Sequence, residues 1–198
     1  MKQFLLKPLA FNSKEELFNF ANNNSDATCE NISQLELLDF IKQNAGRYLF
    51  LSEANFARCN LVELNLKKAY LYRANFVQAS LEDVNFEGAM LIDASFKQAM
   101  LKKVNLKEAS LEYVNFERTM LDIVDCTKAN LEKADFTQAH LRETILTKAN
   151  CENTYFNRAS LYEVDAAGAD LNGADFRGAL LRRTTNIKYH PWAILDNK

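Results

Sequence analysis

Few residues in this sequence could support catalysis or metal binding, and their spacing gathers none of them into a recognisable site. The two histidines are His140 and His190, and the four cysteines are Cys29, Cys59, Cys126 and Cys151. No C-x-x-C pair and no Cys/His spacing typical of zinc is present, so the sequence predicts no metal centre. Widely spaced thiols are typical of small buried hydrophobes in a reducing compartment, and we expect a cytoplasmic protein.

Carboxylates offer one further arrangement that could bind a metal ion. Glu112, Glu132 and Glu152 recur at intervals of twenty residues, but Lys133 and Arg158 accompany them, which favours a solvated surface. The glycines that most resemble a loop motif are Gly168, Gly173 and Gly178. Their five-residue spacing differs from that of phosphate-binding loops and predicts corner positions instead. We therefore expect no enzymatic activity, cofactor, metal or small-molecule substrate.

The composition is that of an ordinary globular protein. Of 198 residues, 48% are hydrophobic and 25% are charged, and the formal net charge is −2. This balance provides no strong field to attract nucleic acid or an anionic membrane. Lys7 and Pro8 interrupt the apolar N-terminal stretch, which therefore lacks the core of a signal peptide, and no apolar run is long enough for a membrane span.

The dominant feature of the chain is a five-residue repeat that runs from Leu49 to Thr184 without a register slip. Its central position, i, holds 16 Leu, 8 Phe, 2 Cys and 1 Ala in the 27 units from Leu51 to Leu181. Position i−2 is mostly Ala or Val, position i−1 is mostly Asn, Asp or Ser, and positions i+1 and i+2 are mostly charged or polar. A helix cannot keep such a period on one face, since five residues advance about 500°. We expect short extended segments, with i and i−2 pointing inward, joined by corners that Asn and Asp stabilise.

Four such units form one coil, because the phenylalanines recur every twenty residues. The column is Phe56, Phe76, Phe96, Phe116, Phe136, Phe156 and Phe176. A second column, beginning at Leu61, holds leucine at every position. Coils stacked at the strand spacing of about 4.8 Å would place like residues on one another, with offset aromatic rings in the Phe column. Cys126, Cys151 and Ala166 replace large residues and predict thin spots in this packing.

These tandem A-(N/D)-(L/F)-x-x units resemble the pentapeptide-repeat family, whose unit is written A(D/N)LXX. The resemblance covers about two-thirds of the chain. It implies an all-β solenoid, a right-handed quadrilateral β-helix of about seven coils, and a bacterial, especially cyanobacterial, source.

A solenoid needs caps at its two ends. We predict a helical capping segment over residues 1–47, the β-helix over 48–184 and a capping tail over 185–198. Capping boxes at Ser13 and Ser33 predict helices from about Lys14 to Ala21 and from about Gln34 to Asn44. The apolar face of the second helix comprises Leu35, Leu38 and Ile41, with Leu37 beside them. The tail residues Ile187, Tyr189, Trp192, Ile194 and Leu195 either close the last coil or mediate dimerisation.

Outward positions on one side of the coil predict an apolar surface near its N-terminal end. The candidate interaction patch is Phe50, Tyr70, Tyr72, Met90, Ile92 and Tyr113. A contiguous apolar patch indicates contact, so either the N-terminal helices cover it or another protein binds there. A smaller group on the Leu61 side comprises Met100, Met120 and Ile123.

These features favour a non-enzymatic protein-interaction scaffold or regulator with an unknown protein partner, monomeric or dimeric through an end cap. The alternative is a DNA mimic that inhibits or protects a type II topoisomerase, which some members of the family are. Mimicry requires a dominant acidic surface, whereas the repeat region has 17 basic and 19 acidic residues. A row of lysines on one side could bind nucleic acid: Lys67, Lys68, Lys107, Lys128 and Lys148. Glu87 and Glu108 interrupt that row, which favours a solvated face.

Overall fold

The computed structural model describes residues 9–13, 15–16 and 34–187. Near the N-terminus, strand β1 (Leu9–Phe11) pairs antiparallel with β2 (Tyr48–Phe50), and helix α1 (Gln34–Gln43) lies between them in sequence. Seven parallel strands follow at intervals of twenty residues: β3 (Asn60–Val62), β4 (Ser80–Glu82), β5 (Met100–Lys102), β6 (Met120–Asp122), β7 (His140–Arg142), β8 (Ser160–Tyr162) and β9 (Leu180–Arg182). These strands form one sheet in chain order.

The other three sides of the coil pair in the same register. On each of these sides, single parallel bridges connect an i−1 residue to the residue twenty positions later. Examples are Asn75 to Ser95, Asn85 to Asn105 and Met90 to Ser110. Four sides of five residues therefore complete each turn, and the solenoid predicted from the repeat is confirmed. Six complete turns separate the first strand of the parallel sheet from the last.

The core is the column enclosed by these sides. Positions i and i−2 are buried throughout the repeat except in the last turn, where Ala179 and Leu181 are partly exposed. The Phe column forms a continuous stack with ring centroids 4.5–5.2 Å apart. Phe86 packs edge-on against Phe76 and Phe96 from the opposite side. The predicted inward positions and the stacked phenylalanines are both confirmed.

The corners share a left-handed backbone, and many of them add a side-chain hydrogen bond. At i−1, an Asn or Asp side chain accepts a hydrogen bond from the N–H two residues later, as Asn115 does from Glu117 at 2.8 Å. At i+2, the backbone is left-handed in all 27 units, with φ between +49° and +73°. The corner glycines Gly168, Gly173 and Gly178 share this conformation, as predicted. Twenty-three of these corners place a non-glycine residue where L-residues are disfavoured.

The N-terminal region agrees with the prediction in part. Helix α1 ends at Gln43, next to the predicted end, and Gly46 follows with φ +85°. Leu37 and Ile41 are buried, whereas Leu35 is 77% exposed, so its predicted place on the buried face is wrong. The contact made by α1 is centred on residues 37, 38 and 41, and Leu35 lies outside that arc.

The first predicted capping box is confirmed in part, because the Glu16 carboxylate accepts from Asn12 and not from the N-cap residue Ser13. The N–H of Glu16 donates to Ser13 Oγ at 3.1 Å, and the Glu16 carboxylate accepts from the N–H of Asn12 at 3.0 Å. The rest of the first predicted helix and Ser33 lie outside the described residues. Strand β1 was not predicted, because a three-residue strand that pairs across the sequence has no local periodicity to reveal it. In the tail, Ile187 is buried, and the later aromatic and apolar residues lie outside the described part.

Candidate protein-interaction surface

The predicted apolar patch is only partly a surface. Phe50 is 1% exposed, so its predicted outward position is wrong. Strand β1 aligns Leu9 with Phe50, and the Tyr70 ring stacks on Phe50 at 5.2 Å between centroids. Phe50 therefore belongs to the core at the N-terminal end.

Four members of the patch lie together and are half-buried. They are Tyr70, Tyr72, Met90 and Ile92, here called the tyrosine face. The two tyrosine rings are 6.5 Å apart, and Met90 lies directly next to Tyr70 on the following turn. The Arg73 guanidinium lies 4.9 Å above the Tyr72 ring. Burial, followed by the neighbouring Tyr72, raises the pKa of Tyr70, which therefore stays neutral.

Tyr113 is one turn further along and has a different environment. It is 52% exposed, its hydroxyl lies 3.0 Å from Lys133 Nζ, and the ammonium is 5.1 Å from the ring centroid. Hydrogen bonds to Glu132 and Tyr113 raise the pKa of Lys133, which remains fully charged. Tyr113 thus borders the tyrosine face, and its ring and hydroxyl both contact the Lys133 ammonium.

The opposite side of the coil carries the more exposed apolar residues. We call it the sheet wall, defined by the outward side chains of β3–β9. Met100 and Met120 are adjacent in the ladder and are 53% and 54% exposed. Val62 and Leu180 lie at its two ends and are also exposed. Sequence reasoning found Met100 and Met120 but missed Val62, which could have been found by applying the i+1 position to the first strand.

Charged side chains pair along the coil instead of clustering by sign. On the sheet wall, Lys102 Nζ lies 2.6 Å from Glu82, and Arg142 Nε lies 2.6 Å from Asp122. The hydrogen bond from Lys102 lowers the pKa of Glu82. Both pairs are solvent-exposed, so each adds little stability, but together they fix an alternating charge pattern.

Three of the five lysines in the predicted row are neutralised by the same pairing. Lys67 lies 2.7 Å from Glu87, Lys128 lies 3.2 Å from Glu108 and Lys107 lies 3.1 Å from Asp125. A nucleic-acid backbone would have to displace these carboxylates before it could bind the lysines.

The glutamate column also pairs locally. Glu112 accepts from the Asn130 amide at 2.7 Å, and Glu132 lies 2.9 Å from Lys133. Over the described residues, no cluster of three or more His, Cys, Asp or Glu side chains could hold a metal ion. His140 is exposed on the sheet wall, whereas His190 is outside the described range.

The described cysteines are structural in their placement. Cys126 and Cys151 are fully buried at i positions, and Cys59 is 6% exposed. Burial raises the pKa of Cys151 to about 12 and also raises that of Cys126. Such thiols stay protonated and unreactive in the folded protein. Cys29 lies outside the described residues.

Comparison with known proteins identifies the class. The model for a pentapeptide repeat region matches residues 50–126, and the pentapeptide repeats model of eight copies matches residues 125–161 and 159–185. The chain therefore belongs to the pentapeptide-repeat family. The solved members related to it are right-handed quadrilateral β-helices, as the family resemblance had implied for this chain.

Solved structures supply several relatives. A pentapeptide-repeat protein of the Arabidopsis thaliana thylakoid lumen is 31% identical over 50% of this chain and 65% of its own, with a TM-score of 0.31. HetL, involved in regulating heterocyst differentiation in the cyanobacterium Nostoc sp. strain PCC 7120, is 25% identical over 68% of this chain and 73% of its own, with a TM-score of 0.29. QnrB1, a plasmid-mediated fluoroquinolone resistance protein, is 16% identical over 75% of this chain and 92% of its own, with a TM-score of 0.36. None of the curated proteins matches the sequence.

The described residues include no helix with the length and apolar character needed to cross a bilayer.

Proposed function

We propose that this protein is a non-enzymatic interaction scaffold whose protein partner docks on the tyrosine face. The observation that carries the proposal is the half-buried cluster of Tyr70, Tyr72, Met90 and Ile92, which includes two tyrosines and lies together on one side of the coil. Tyrosine and methionine are enriched at protein interfaces, where their rings and chains fill pockets of the partner.

The fold favours this role because it holds the contact residues rigidly. The backbone beneath Tyr70 and Tyr72 is hydrogen bonded to the preceding turn: the N–H of Leu51 donates to the Tyr70 carbonyl at 2.8 Å, and the N–H of Glu53 donates to the Tyr72 carbonyl at 2.7 Å. A partner would therefore order few groups on binding, and more of the contact energy would remain as affinity. Arg73 above Tyr72 adds a cation at the edge of the face.

We also propose that the protein works in a reducing compartment. Three thiols that are free and buried, Cys59, Cys126 and Cys151, are compatible with the cytoplasm, which remains our proposed location.

DNA mimicry of a topoisomerase substrate remains the alternative function. It would require carboxylates to dominate one continuous surface. The alternation of Glu82 with Lys102 and of Asp122 with Arg142 argues against it on the sheet wall. On the side that carries the predicted lysine row, the pairs Lys67–Glu87 and Lys128–Glu108 argue against mimicry for the same reason.

The test is differential capture from the native cell lysate. Tagged wild-type protein, a Tyr72→Ser/Ile92→Ser variant and a Thr127→Ala/Thr147→Ala control would be compared by quantitative mass spectrometry. The control changes the same i+1 position on another side of the coil. Partners retained by the wild type and the control, but reduced at least tenfold with the serine variant, would support the proposal.

Two results would contradict it. Partners captured equally by all three proteins would exclude the tyrosine face as the docking site. Recovery of topoisomerase subunits, independent of Tyr72 and Ile92, would make DNA mimicry the better explanation. Circular dichroism melts of all three proteins would establish that each is folded before capture.

A further inference from the structure

We propose that the sheet wall is a self-association surface on which a second copy of this chain packs face to face. The two copies are related by a two-fold axis that runs parallel to the strands, between β5 and β6. This inference concerns the side of the coil opposite the tyrosine face and is independent of the partner proposed above.

The charge pattern of the wall specifies this axis. The i+1 column of the four central strands is Glu82, Lys102, Asp122 and Arg142. A rotation about the strand direction reverses the order of turns but keeps each side chain in its own column. Glu82 then faces Arg142 of the second copy, and Lys102 faces Asp122 of the second copy. Every acid meets a base, while the pairs within each chain, Glu82–Lys102 and Asp122–Arg142, remain intact at 2.6 Å.

The apolar residues obey the same symmetry. Met100 faces Met120 of the second copy, and these two side chains are 53% and 54% exposed in the single chain. Val62, which is 43% exposed, faces Tyr162 of the second copy. Burial of exposed methionine and valine surface supplies the non-directional part of the attraction.

The remaining outward residues of β3–β8 are polar and carry no carboxylate, lysine or arginine, whereas Leu180 and Arg182 of β9 have no counterpart across this axis. Ser80 faces His140 of the second copy, and Asn60 faces Ser160 of the second copy. Both pairs can form hydrogen bonds. The six pairs generated by the axis therefore contain no like-charge contact and no charge opposite an apolar side chain.

Other symmetric arrangements fail this test. An axis through β6 would set Asp122 against its own copy and Lys102 against Arg142. An axis through β5 would set Lys102 against its own copy and Glu82 against Asp122. A two-fold axis along the coil would oppose the two outward columns, and Met100 would meet Lys102. Among these arrangements, only the axis between β5 and β6 matches charge and apolar character together.

The corner residues limit the contact. The axis would bring Asp83 opposite Glu143 and Glu63 opposite Glu163 of the second copy, two repulsive pairs, and it would set Lys103 opposite Ile123. All four acidic residues lie at left-handed corners, with φ between +49° and +55°, where the chain turns away from the wall. They flank the contact in solvent, where the high dielectric constant of water weakens their repulsion.

The size of the wall predicts a weak dimer. From β3 to β8 the sheet extends over five strand spacings, about 24 Å, and a single side of the coil is roughly 10 Å wide. Such an interface falls below the approximately 1,200 Å² of stable complexes. Association is therefore expected at high protein concentration and low salt, as in transient complexes.

Sedimentation velocity with exchanged ion pairs tests the proposal. One variant carries Glu82→Lys with Lys102→Glu, and the other carries Asp122→Arg with Arg142→Asp. Each exchange keeps the net charge and the ion pair within the chain, but it brings like charges together across the two-fold axis. We expect wild-type protein to associate over a series up to about 1 mM, and each variant alone to have a dissociation constant at least tenfold higher.

An equimolar mixture of the two variants provides the symmetry test. In a mixed pair, all four charge contacts across the axis are again between opposite signs, so association should return to the wild-type level. As a matched control, Glu108→Lys with Lys128→Glu exchanges a pair 3.2 Å apart on another side and should leave association unchanged.

The proposal is overturned by any of three results: wild-type protein that stays monomeric throughout the series, exchanged variants that associate like the wild type, or a mixture that stays monomeric. If an exchanged variant does not fold, Met120→Glu gives an independent test, since it places a carboxylate against Met100 of the second copy. That variant should also have a dissociation constant at least tenfold higher, and unchanged association would equally contradict the proposal.

Discussion

The side-chain amide of Asn150 donates a hydrogen bond from Nδ2 to Oδ1 of Asn130, one turn earlier, at 2.8 Å. The same oxygen of Asn130 accepts from the N–H of Glu132 at 3.3 Å, and the side-chain oxygen of Asn150 accepts from the N–H of Glu152 at 3.0 Å. An asparagine at i−1 can therefore stabilise its own corner and bind the neighbouring turn at once. An aspartate has no donor, so it can bind the neighbouring turn only where that turn offers a donor, as the Thr185 hydroxyl does to Asp165.

This relationship predicts that Ile145→Asn stabilises the fold. Ile145 is 38% exposed and interrupts a column of Asn105, Asp125 and Asp165. An asparagine would supply the missing corner bond, and its amide could donate to a neighbouring carboxylate. We expect the free energy of unfolding, measured by urea denaturation, to rise by about 1 kcal/mol.

Ile145→Asp is the matched control for that substitution. It restores the corner bond but inserts a third carboxylate between Asp125 and Asp165, so it should gain less than Ile145→Asn. Equal gains from the two variants would mean that bonding between turns contributes nothing.

Backbone strain at one corner gives a second prediction. Ile123 is β-branched and has a φ of +56°, a conformation that Asn tolerates far better than Ile. Ile123→Asn should raise the melting temperature and the free energy of unfolding by about 1 kcal/mol. Val62 has the same 43% exposure but lies in an extended strand, so Val62→Asn should give no gain. If both substitutions stabilised the protein, the gain would come from replacing an exposed apolar side chain and not from relief of backbone strain.

The Phe column gives a third prediction. Phe116 is fully buried between Phe96 and Phe136, with centroid distances of 5.2 and 4.6 Å. Phe116→Asp would bury an unpaired carboxylate at a cost of several kcal/mol and should abolish the cooperative thermal transition. Phe116→Leu, which fits the neighbouring leucine columns, should cost only about 1 kcal/mol. A soluble Phe116→Asp protein with the wild-type melting temperature would refute the packed core.

Acid sensitivity gives a fourth prediction. Hydrogen bonds from the Arg177 side chain, at 2.9 and 3.0 Å, lower the pKa of the buried Asp175 to about 2. Because the pKa is lower in the folded state than in the unfolded state, the stability gained from this group is complete above about pH 4. It is lost as the pH falls from about 4 towards 2, through the folded-state pKa.

Asp175→Asn should remove this part of the acid-induced loss. The variant should be less stable than the wild type at pH 7, and the difference should shrink towards pH 2 in urea denaturation series. Arg177→Gln, which removes the donor and leaves the carboxylate, should give the same convergence. A stability difference that is constant with pH would contradict the assignment.

The five- and twenty-residue periods were sufficient to predict the solenoid, because every unit has the same arrangement of two inward residues and one corner. Inward residues such as Leu101 and Ala99 differ from corner residues such as Lys103 in type as well as position. The strict period then fixes which residues share a side. For the same reason Met100 and Met120 could be placed on one side of the coil from the sequence.

Features that break the repeat could not be predicted in this way. Phe50 occupies an outward position by period, yet it is buried because β1 and the Tyr70 ring cover it. Leu35 fits the helical spacing of an apolar face, yet α1 meets the core through Leu37 and Ile41. In both cases the deciding contact comes from distant residues and leaves no local pattern. The predicted thin spots at Cys126, Cys151 and Ala166 stay a prediction.

The alignment of residues twenty positions apart also constrains how the length of this protein can change. Loss of one pentapeptide would keep every later i residue inside but rotate all later columns by a quarter turn, moving Phe136 away from Phe116 and the methionines to another side. Loss of twenty residues would preserve every column and shorten the coil by one layer. Insertions and deletions in this sequence should therefore survive only as whole layers.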